Sequence, residues 1–473
     1  MKARKLILFL GLLVLCVGAG GQIWAGGQNE KAQGAMAAQP VTINVATSLG
    51  WITTDGLMPF LKDYLGKQGI NVVAVPGQGV ALRDKQMLAA SSGDATYDVY
   101  LAWDALMPLL QKYGEPLDSY LQNAGVDVSG FEAKFYPNVV ANASTDGKLY
   151  WIPIHINAQI GYARRDLFMD PNEQAAFKAK FGYDLPQPDS TGVLNFPTKK
   201  VFVDVAQFFT RTGSDGQTNV WGYVMAGKWD QGNTVFEEEM FRAGLGYFDE
   251  KGHSDWGPAE PQNQPIVKDI ATFDYNLVNT WKVCSPGVLG MELTEIGQLF
   301  ATGKAAMSFT WNVDNWPLYK GTDFEKKYGL PLSWIPSFMD RSPNDKGLMS
   351  VWAWELNKNS KNKAAAVKFL LAAADENLRI QATQQAKLPV GNGMLDVSQW
   401  LVSHNVVPGA YIPAVQTIGT FWPTSPAFPQ TDPARDVLRK AHEQLLTGQI
   451  TPDQFVKQTG DGVEALMHQA GYF

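Results

Sequence analysis

Apolar and polar positions change period in a regular succession from about residue 41 onward. Val41, Ile43 and Val45 alternate with polar neighbours, which is strand spacing. Leu57, Phe60, Leu61, Tyr64 and Leu65 then recur at helical spacing, with Asp55 placed to cap that helix and Gly66 to end it. Ile70 to Val75 reads as a second strand, Lys85 to Ala90 as a helix after the Gly77-Gln78-Gly79 loop, and Tyr97 to Trp103 as a third strand. Strand, helix, strand, helix, strand predicts a parallel sheet with helices on its faces. The same grammar resumes with a turn and strand at Asp146 to Tyr150, a run from Ile154 to Arg164 and a helix from about Val201 to Thr210. Toward the C-terminus Ser360 stands where it would cap a helix carrying Ala366, Phe369, Leu370 and Ala373 on one stripe. Asp432-Pro433 opens a helix with Val437, Leu438, Ala441 and Leu445, and Thr451 to Gln454 has capping-box spacing behind Gly448.

Length and composition turn this pattern into an expectation of two lobes. The 473 residues are too many for one ordinary core, and 45% apolar with 18% charged residues is a globular balance. Lys2, Arg4 and Lys5 precede an apolar run from Leu6 to Val17, too short for a membrane span of ~20 residues. An export signal is expected over residues 1–25, with a cut after Ala25 or Ala37, and a flexible lead over 26–40. The protein is therefore expected outside the cytoplasm, in the periplasm or anchored to its membrane. Leu13 to Cys16 is a weak lipoprotein box, because Leu15 stands where a small residue is usual. Without Cys16 the chain keeps only Cys284, so no internal disulfide is expected and Cys284 reads as a small buried residue. A net charge of −7 argues against nucleic-acid partners, which need a basic face.

Five segments in order resemble family 1 of the extracellular solute-binding proteins, the maltose-binding-protein-like group that serves ATP-driven importers. They are Lys85 to Asp98 with Gly114 to Asp118, Asp146 to Pro153, Gly161 to Phe168, Phe300 to Met307 and Ser360 to Lys363 with Phe369-Leu370. The resemblance implies an α/β, two-lobed periplasmic-binding-protein fold of type II, each lobe a mixed, mostly parallel sheet flanked by helices, with the ligand cleft between them. It places an N-terminal lobe at 41–155 plus 314–370 and a C-terminal lobe at 158–310 plus 376–473. It also implies the function: a monomer that captures a sugar or sugar alcohol and passes it to permease subunits. The chain departs from the family at Val351 to Trp354, where paired glycines are common, and at Trp311, where a glycine is common. Bulky aromatics there imply a ligand differing in shape or size from maltose.

In open α/β sheets a ligand lies beyond the carboxyl ends of the strands, so loops after strands are the candidates. These are Ser48 and Trp51 after the first strand, Trp103 and Asp104 after the third, and His155 and Asn157 on the first crossing segment. Trp311, Asn312 and Asp314, with Trp316, follow the strand ending at Met307 to Thr310. Trp352 and Trp354 share one strand face and point together to the cleft or to the helices. Trp422 precedes Pro423 in a loop of the second lobe. Aromatic rings offer a flat apolar face to a sugar ring while Asp, Asn and Ser bond its hydroxyls. The ordinary role of each residue, packing for a tryptophan and solvation for an acid, competes with this reading. Trp221, Trp229 and Trp281 are expected to pack. Glu237-Glu238-Glu239 is expected on a solvated helix face, or else as a docking patch for a permease.

No motif for catalysis, cofactor or metal is present. The chain has no Gly-x-Ser-x-Gly, no Gly-x-x-x-x-Gly-Lys-Ser/Thr and no His-Glu-x-x-His, and its five histidines are far apart. The expectation is a binding protein and not an enzyme, without cofactor or metal. The same fold binding a polyamine or peptide stays open, as does a secreted carbohydrate-active hydrolase with two carboxylates ~5–9 Å apart.

Overall fold

The computed structural model describes residues 40–48, 56–77, 79–103, 106–190, 192–228, 234–310, 312–334, 349–386, 393–409, 411–412 and 428–473. The expected export signal, and the lead up to residue 39, lie outside the described residues, as do Asp55 and Trp229. The strands are β1 (Val41–Ser48), β2 (Ile70–Gly77), β3 (Val99–Trp103), β4 (Ser144–Thr145), β5 (Lys148–Leu149), β6 (Trp151–Ala158), β7 (Ile160–Ala163), β8 (Val193–Leu194), β9 (Arg211–Thr212), β10 (Thr218–Met225), β11 (Ala305–Thr310), β12 (Leu332–Trp334) and β13 (Met349–Leu356). One sheet has the order β2-β1-β3-β13-β6 and the other β8-β12-β7-β11-β10-β9.

The first sheet follows from the alternating pattern. β1 pairs parallel with both β2 and β3, and the helices Met58–Gly66 and Gly79–Ser92 make the two crossovers. β13 returns antiparallel between β3 and β6. β6 therefore runs parallel to β3, and the carboxyl ends of β1, β3 and β6 share one edge. The β4–β5 hairpin turns through Asp146 and Gly147, both at positive φ (50° and 71°), as a two-residue hairpin of this hand requires.

A single residue, Gln159, separates β6 from β7, so the chain passes there from the first sheet to the second. The core of the second sheet gathers around Trp334, which is 1% exposed, stacks on Phe309 at 5.0 Å and meets Phe196 and Phe202 edge-on or tilted. In register it lies opposite Gly161, where an added Cβ would sit 1.8 Å from the indole ring. Only glycine lets the ring lie this close to the strand.

Three sequence expectations change. Leu332–Trp334, assigned by position to the first lobe, pairs with β7 and β8 in the second sheet, because Trp334 fills that core. The helices Glu376–Ala386 and Leu395–Ser403, assigned to the second lobe, sit against the first: Arg379 donates to the Pro153 carbonyl and Leu395 to that of Lys134. Glu237, Glu238 and Glu239 are buried, not solvated. Glu237 accepts two bonds from Arg435 at 2.7 and 2.9 Å, Glu238 one from Arg242 at 2.9 Å, and Glu239 one from Lys199 at 2.7 Å. The run thus ties the helix Thr234–Arg242 to its neighbours Thr431–Leu446 and Lys199–Phe209.

Helix starts are mixed in the same way. Thr451 and Gln454 form the expected reciprocal capping box, with bonds of 2.8 and 3.2 Å. Ser360 instead stands two residues before the cap of the Lys363–Ala373 helix. Its hydroxyl donates to Asp98 at 2.6 Å and accepts from the Asn362 N–H at 3.1 Å. Cys284 is buried, and burial pushes its thiol up to about 12, out of reach of ordinary thiolate chemistry.

Candidate binding site

The register of the first sheet assembles the site. Trp103 at the carboxyl end of β3 lies opposite Trp352 on β13, and Trp352 lies opposite His155 on β6. Residues directly opposite on neighbouring strands share a face, so these three side chains form one row across the edge where β1, β3 and β6 end. The two indoles touch, with ring centroids 5.5 Å apart and planes tilted by 41°. Both are half-buried, and Trp103 packs against two hydrophobic clusters: the large core that includes the first sheet, and the helical cluster of Phe236, Leu438 and Phe455 beyond the second. Its ring therefore bridges the two lobes.

Trp354, two residues along β13, is sealed by the Lys363–Ala373 helix. It is 0% exposed, meets Phe369 at 4.8 Å and donates its indole N–H to the Ala46 carbonyl at 3.0 Å. Trp352 and Trp354 thus serve different neighbours on one strand face: one meets the sheet edge and the other the helix.

Ser48 ends β1 and Asn157 lies near the end of β6, at the same edge and both buried. His155 has no exposed surface. Burial, and then the nearby Arg379 charge, push its pKa down to about 3, so the ring is neutral throughout the physiological range. A neutral imidazole presents one donor and one acceptor nitrogen, which suits hydroxyl recognition better than anion binding. Asn312 and Asp314 lie by their backbone in the 3-10 helix Asn312–Leu318, which follows β11. Trp316 of that turn is a packing residue: it is 4% exposed, lies 5.8 Å from Tyr162 and donates to the Asn405 carbonyl at 3.2 Å. Trp51, Asp104, Trp311 and Trp422 lie outside the described residues.

Two features of this region were not anticipated from sequence. Arg83 on the Gly79–Ser92 helix, beside the first sheet, pairs with Asp432 in the first turn of Thr431–Leu446, beside the second. Their side chains are 23% and 13% exposed, so the pair is a partly desolvated bridge across the two lobes. Gln159, on the crossing itself, is 0% exposed, and its amide has no hydrogen-bond partner among the described residues. No spacing rule marks either one, since the ion pair joins residues 349 apart in sequence. Two surface grooves, beside Trp281 and Asn276 and beside His468 and Phe473, lie on helices away from the row. Among the described residues no group of three or more His, Cys, Asp or Glu side chains is placed to hold a metal ion.

The family model for bacterial extracellular solute-binding protein matches residues 50–376, well over half of the chain. The chain belongs to this family. Solved structures of solute-binding proteins agree in fold along nearly the whole length. The Agrobacterium vitis S4 protein with bound D-mannitol is 21% identical with a TM-score of 0.69, over 91% of this chain and 99% of that one. The maltose-bound MalE3 of T. maritima is 16% identical with a TM-score of 0.66, over 90% and 100%. The maltotriose-bound MalE domain of Bdellovibrio bacteriovorus is 19% identical with a TM-score of 0.64, over 90% and 100%. At these identities the likeness is one of fold: the two-lobed α/β architecture expected from the motifs is the architecture of this solute-binding protein.

Proposed function

We propose that this solute-binding protein captures a carbohydrate, a sugar or sugar alcohol, between its two lobes and delivers it to the permease of an ATP-driven importer. The observation that carries the reading is the Trp103–Trp352 pair, set at the carboxyl edge of the first sheet with Trp103 touching the second lobe's helical core. Two tilted indoles beside neutral His155 and the amide of Asn157 offer apolar faces for C–H surfaces and uncharged groups for hydroxyls. Maltose, mannitol and maltotriose in the similar structures favour the same ligand class. Ser48 completes the described part of the site. Trp51, Asp104, Trp311, Asn312, Asp314 and Trp422 are the contributions proposed from the loops around it. Trp352, in a segment where the family commonly has paired glycines, narrows the cleft, so the solute differs in outline from maltose.

The mechanism is capture and closure without chemistry. Solute binds one lobe first, and contacts from the second lobe then stabilise the closed form. The Arg83–Asp432 pair belongs to that closed form. The protein acts as a monomer, exported by its N-terminal segment to the periplasmic side, where the closed form meets the permease.

A thermal-shift screen of the mature chain against mono- and oligosaccharides, sugar alcohols, polyamines and peptides tests the reading, because a ligand of the native state stabilises it by RT ln(1 + [L]/Kd). A saturable rise with one carbohydrate class is expected. A rise with polyamines or peptides alone would overturn the ligand class.

A further inference from the structure

β6 reaches the binding edge through an irregularity. Ala353 faces Pro153 and Trp352 faces His155, so Ile154 is an extra residue on β6, a bulge that re-aims the side chains beyond it. At this bulge the Pro153 carbonyl accepts a hydrogen bond from Nη2 of Arg379 at 2.6 Å. The same guanidinium donates from Nε to the Ala373 carbonyl, also at 2.6 Å, in the last turn of the Lys363–Ala373 helix, where backbone carbonyls lack helical partners. Arg379 has no exposed surface, and its Nη1 has no hydrogen-bond partner among the described residues. The Phe135 ring lies 5.8 Å from the guanidinium carbon.

A buried guanidinium with no carboxylate bonded to it among the described residues is an expensive occupant of a core position that a methionine would fill. Burial pulls its pKa down to about 9, opposed only in part by Asp375 and Glu376 at the start of its own helix. Its fork geometry accounts for its presence. One planar group reaches two carbonyls on different elements, which a lysine does only by dividing its donors.

We propose that Arg379 is a positioning residue: it pins the bulge at Ile154 to the end of the Lys363–Ala373 helix and so sets His155 opposite Trp352 in the orientation that receives solute. This rests on the site described above and adds the part that orients it. Arg379 touches the strand and not the solute. Its charge also reaches His155, where it acts with burial to keep the imidazole uncharged.

The test uses the full mature chain with Arg379→Met and Arg379→Lys. His155 ring nitrogens are followed by NMR without solute, assigned with His155→Gln, and solute affinity is then measured at neutral pH. For Arg379→Met the His155 titration is expected to move up toward the ordinary imidazole range, and affinity to fall roughly tenfold, the equivalent of one charge-assisted hydrogen bond. Arg379→Lys keeps the charge, so the titration stays low, while loss of the fork shifts the ring resonances and weakens binding. An Arg379→Met protein with wild-type His155 resonances and affinity overturns the proposal. If the methionine variant does not fold, Arg379→Lys with unchanged ring resonances overturns it equally. The ring measurement needs no solute, so failure of the carbohydrate reading, seen as a wild type silent to every sugar, is distinguishable from failure of the positioning role.

Discussion

The buried pair between Glu237 and Arg435 gives the sharpest energetic prediction. Glu237 is 0% exposed and accepts from Nε and Nη2 of Arg435 at 2.7 and 2.9 Å, and Tyr247 donates its hydroxyl to the same carboxylate. Burial works against the Arg435 charge, but Glu237 outweighs it and holds the guanidinium above its ordinary value. Arg435→Met leaves a fully buried carboxylate with a neutral partner only, a change that costs about 3–5 kcal/mol. Unfolding entropy grows with chain length, so for a chain of this size that is a fall in Tm of about 3–5 °C. Glu237→Met removes the two-pronged acceptor of the guanidinium, whose side chain is 10% exposed and which the nearby Asp432 charge also favours, so its cost falls at the lower end of the same range. The double variant Glu237→Met with Arg435→Met removes both charges and leaves Tyr247 without its acceptor, at a cost of about 1–3 kcal/mol. The double variant is therefore expected to be more stable than Arg435→Met alone. Urea unfolding of the four proteins, read as a double-mutant cycle, measures this. Additive losses, with the double variant the least stable, would refute the reasoning.

Three further outcomes follow from named contacts. Glu355 is fully buried, with neither carboxylate oxygen hydrogen-bonded among the described residues, and burial raises its pKa well above the ordinary value of 4.5. Its protonated form therefore belongs to the folded state, and wild-type stability drains away as pH rises from the unfolded value through the folded one. Glu355→Gln does not titrate, so its stability relative to wild type should climb with pH above 4.5 by up to about 1.4 kcal/mol per unit; parallel pH profiles would contradict this. Arg83→Gln removes the bridge to Asp432, and small-angle scattering should show less compaction on adding solute, with weaker solute binding; unchanged values for both would remove the pair from the closure account. Gly161→Ala places a Cβ 1.8 Å from the Trp334 ring and should destabilise by at least about 1–3 kcal/mol in urea unfolding, whereas a neutral result would mean the strand yields freely.

How far the sequence foretold the molecule depended on whether the signal was local. Alternation from Val41 to Val45 and the apolar run from Ile70 to Val75 specified strands that lie where expected, and the Thr451–Gln454 capping box closes with both of its bonds. Trp103 at a strand end, His155 on the crossing segment and Trp352 on a strand face were all candidates, but only pairing register places them opposite one another, and register joins residues about 200 and 250 positions apart. The three consecutive glutamates read as a wet face because local charge suggests solvent. Their partners, Lys199, Arg242 and Arg435, come from three helices, two of them distant in sequence. β12 escaped because three residues, Leu332 to Trp334, carry too little alternation to mark a strand, and the ring that anchors them needs a glycine 173 residues earlier. Arg379 carried no signal at all, since an arginine in a helix is ordinarily a surface residue.

The most direct test of carbohydrate capture at the indole row is a calorimetric titration, with the sugar or sugar alcohol identified by thermal shift, of wild type, Trp103→Ala and Trp352→Ala, with Trp281→Ala as a control away from the row. The row predicts that the first two variants melt cooperatively yet bind at least about tenfold more weakly, a loss of about 1.4 kcal/mol, while Trp281→Ala binds as wild type. Equal affinity in all four proteins would contradict it, and the solute would have to be sought elsewhere on the molecule.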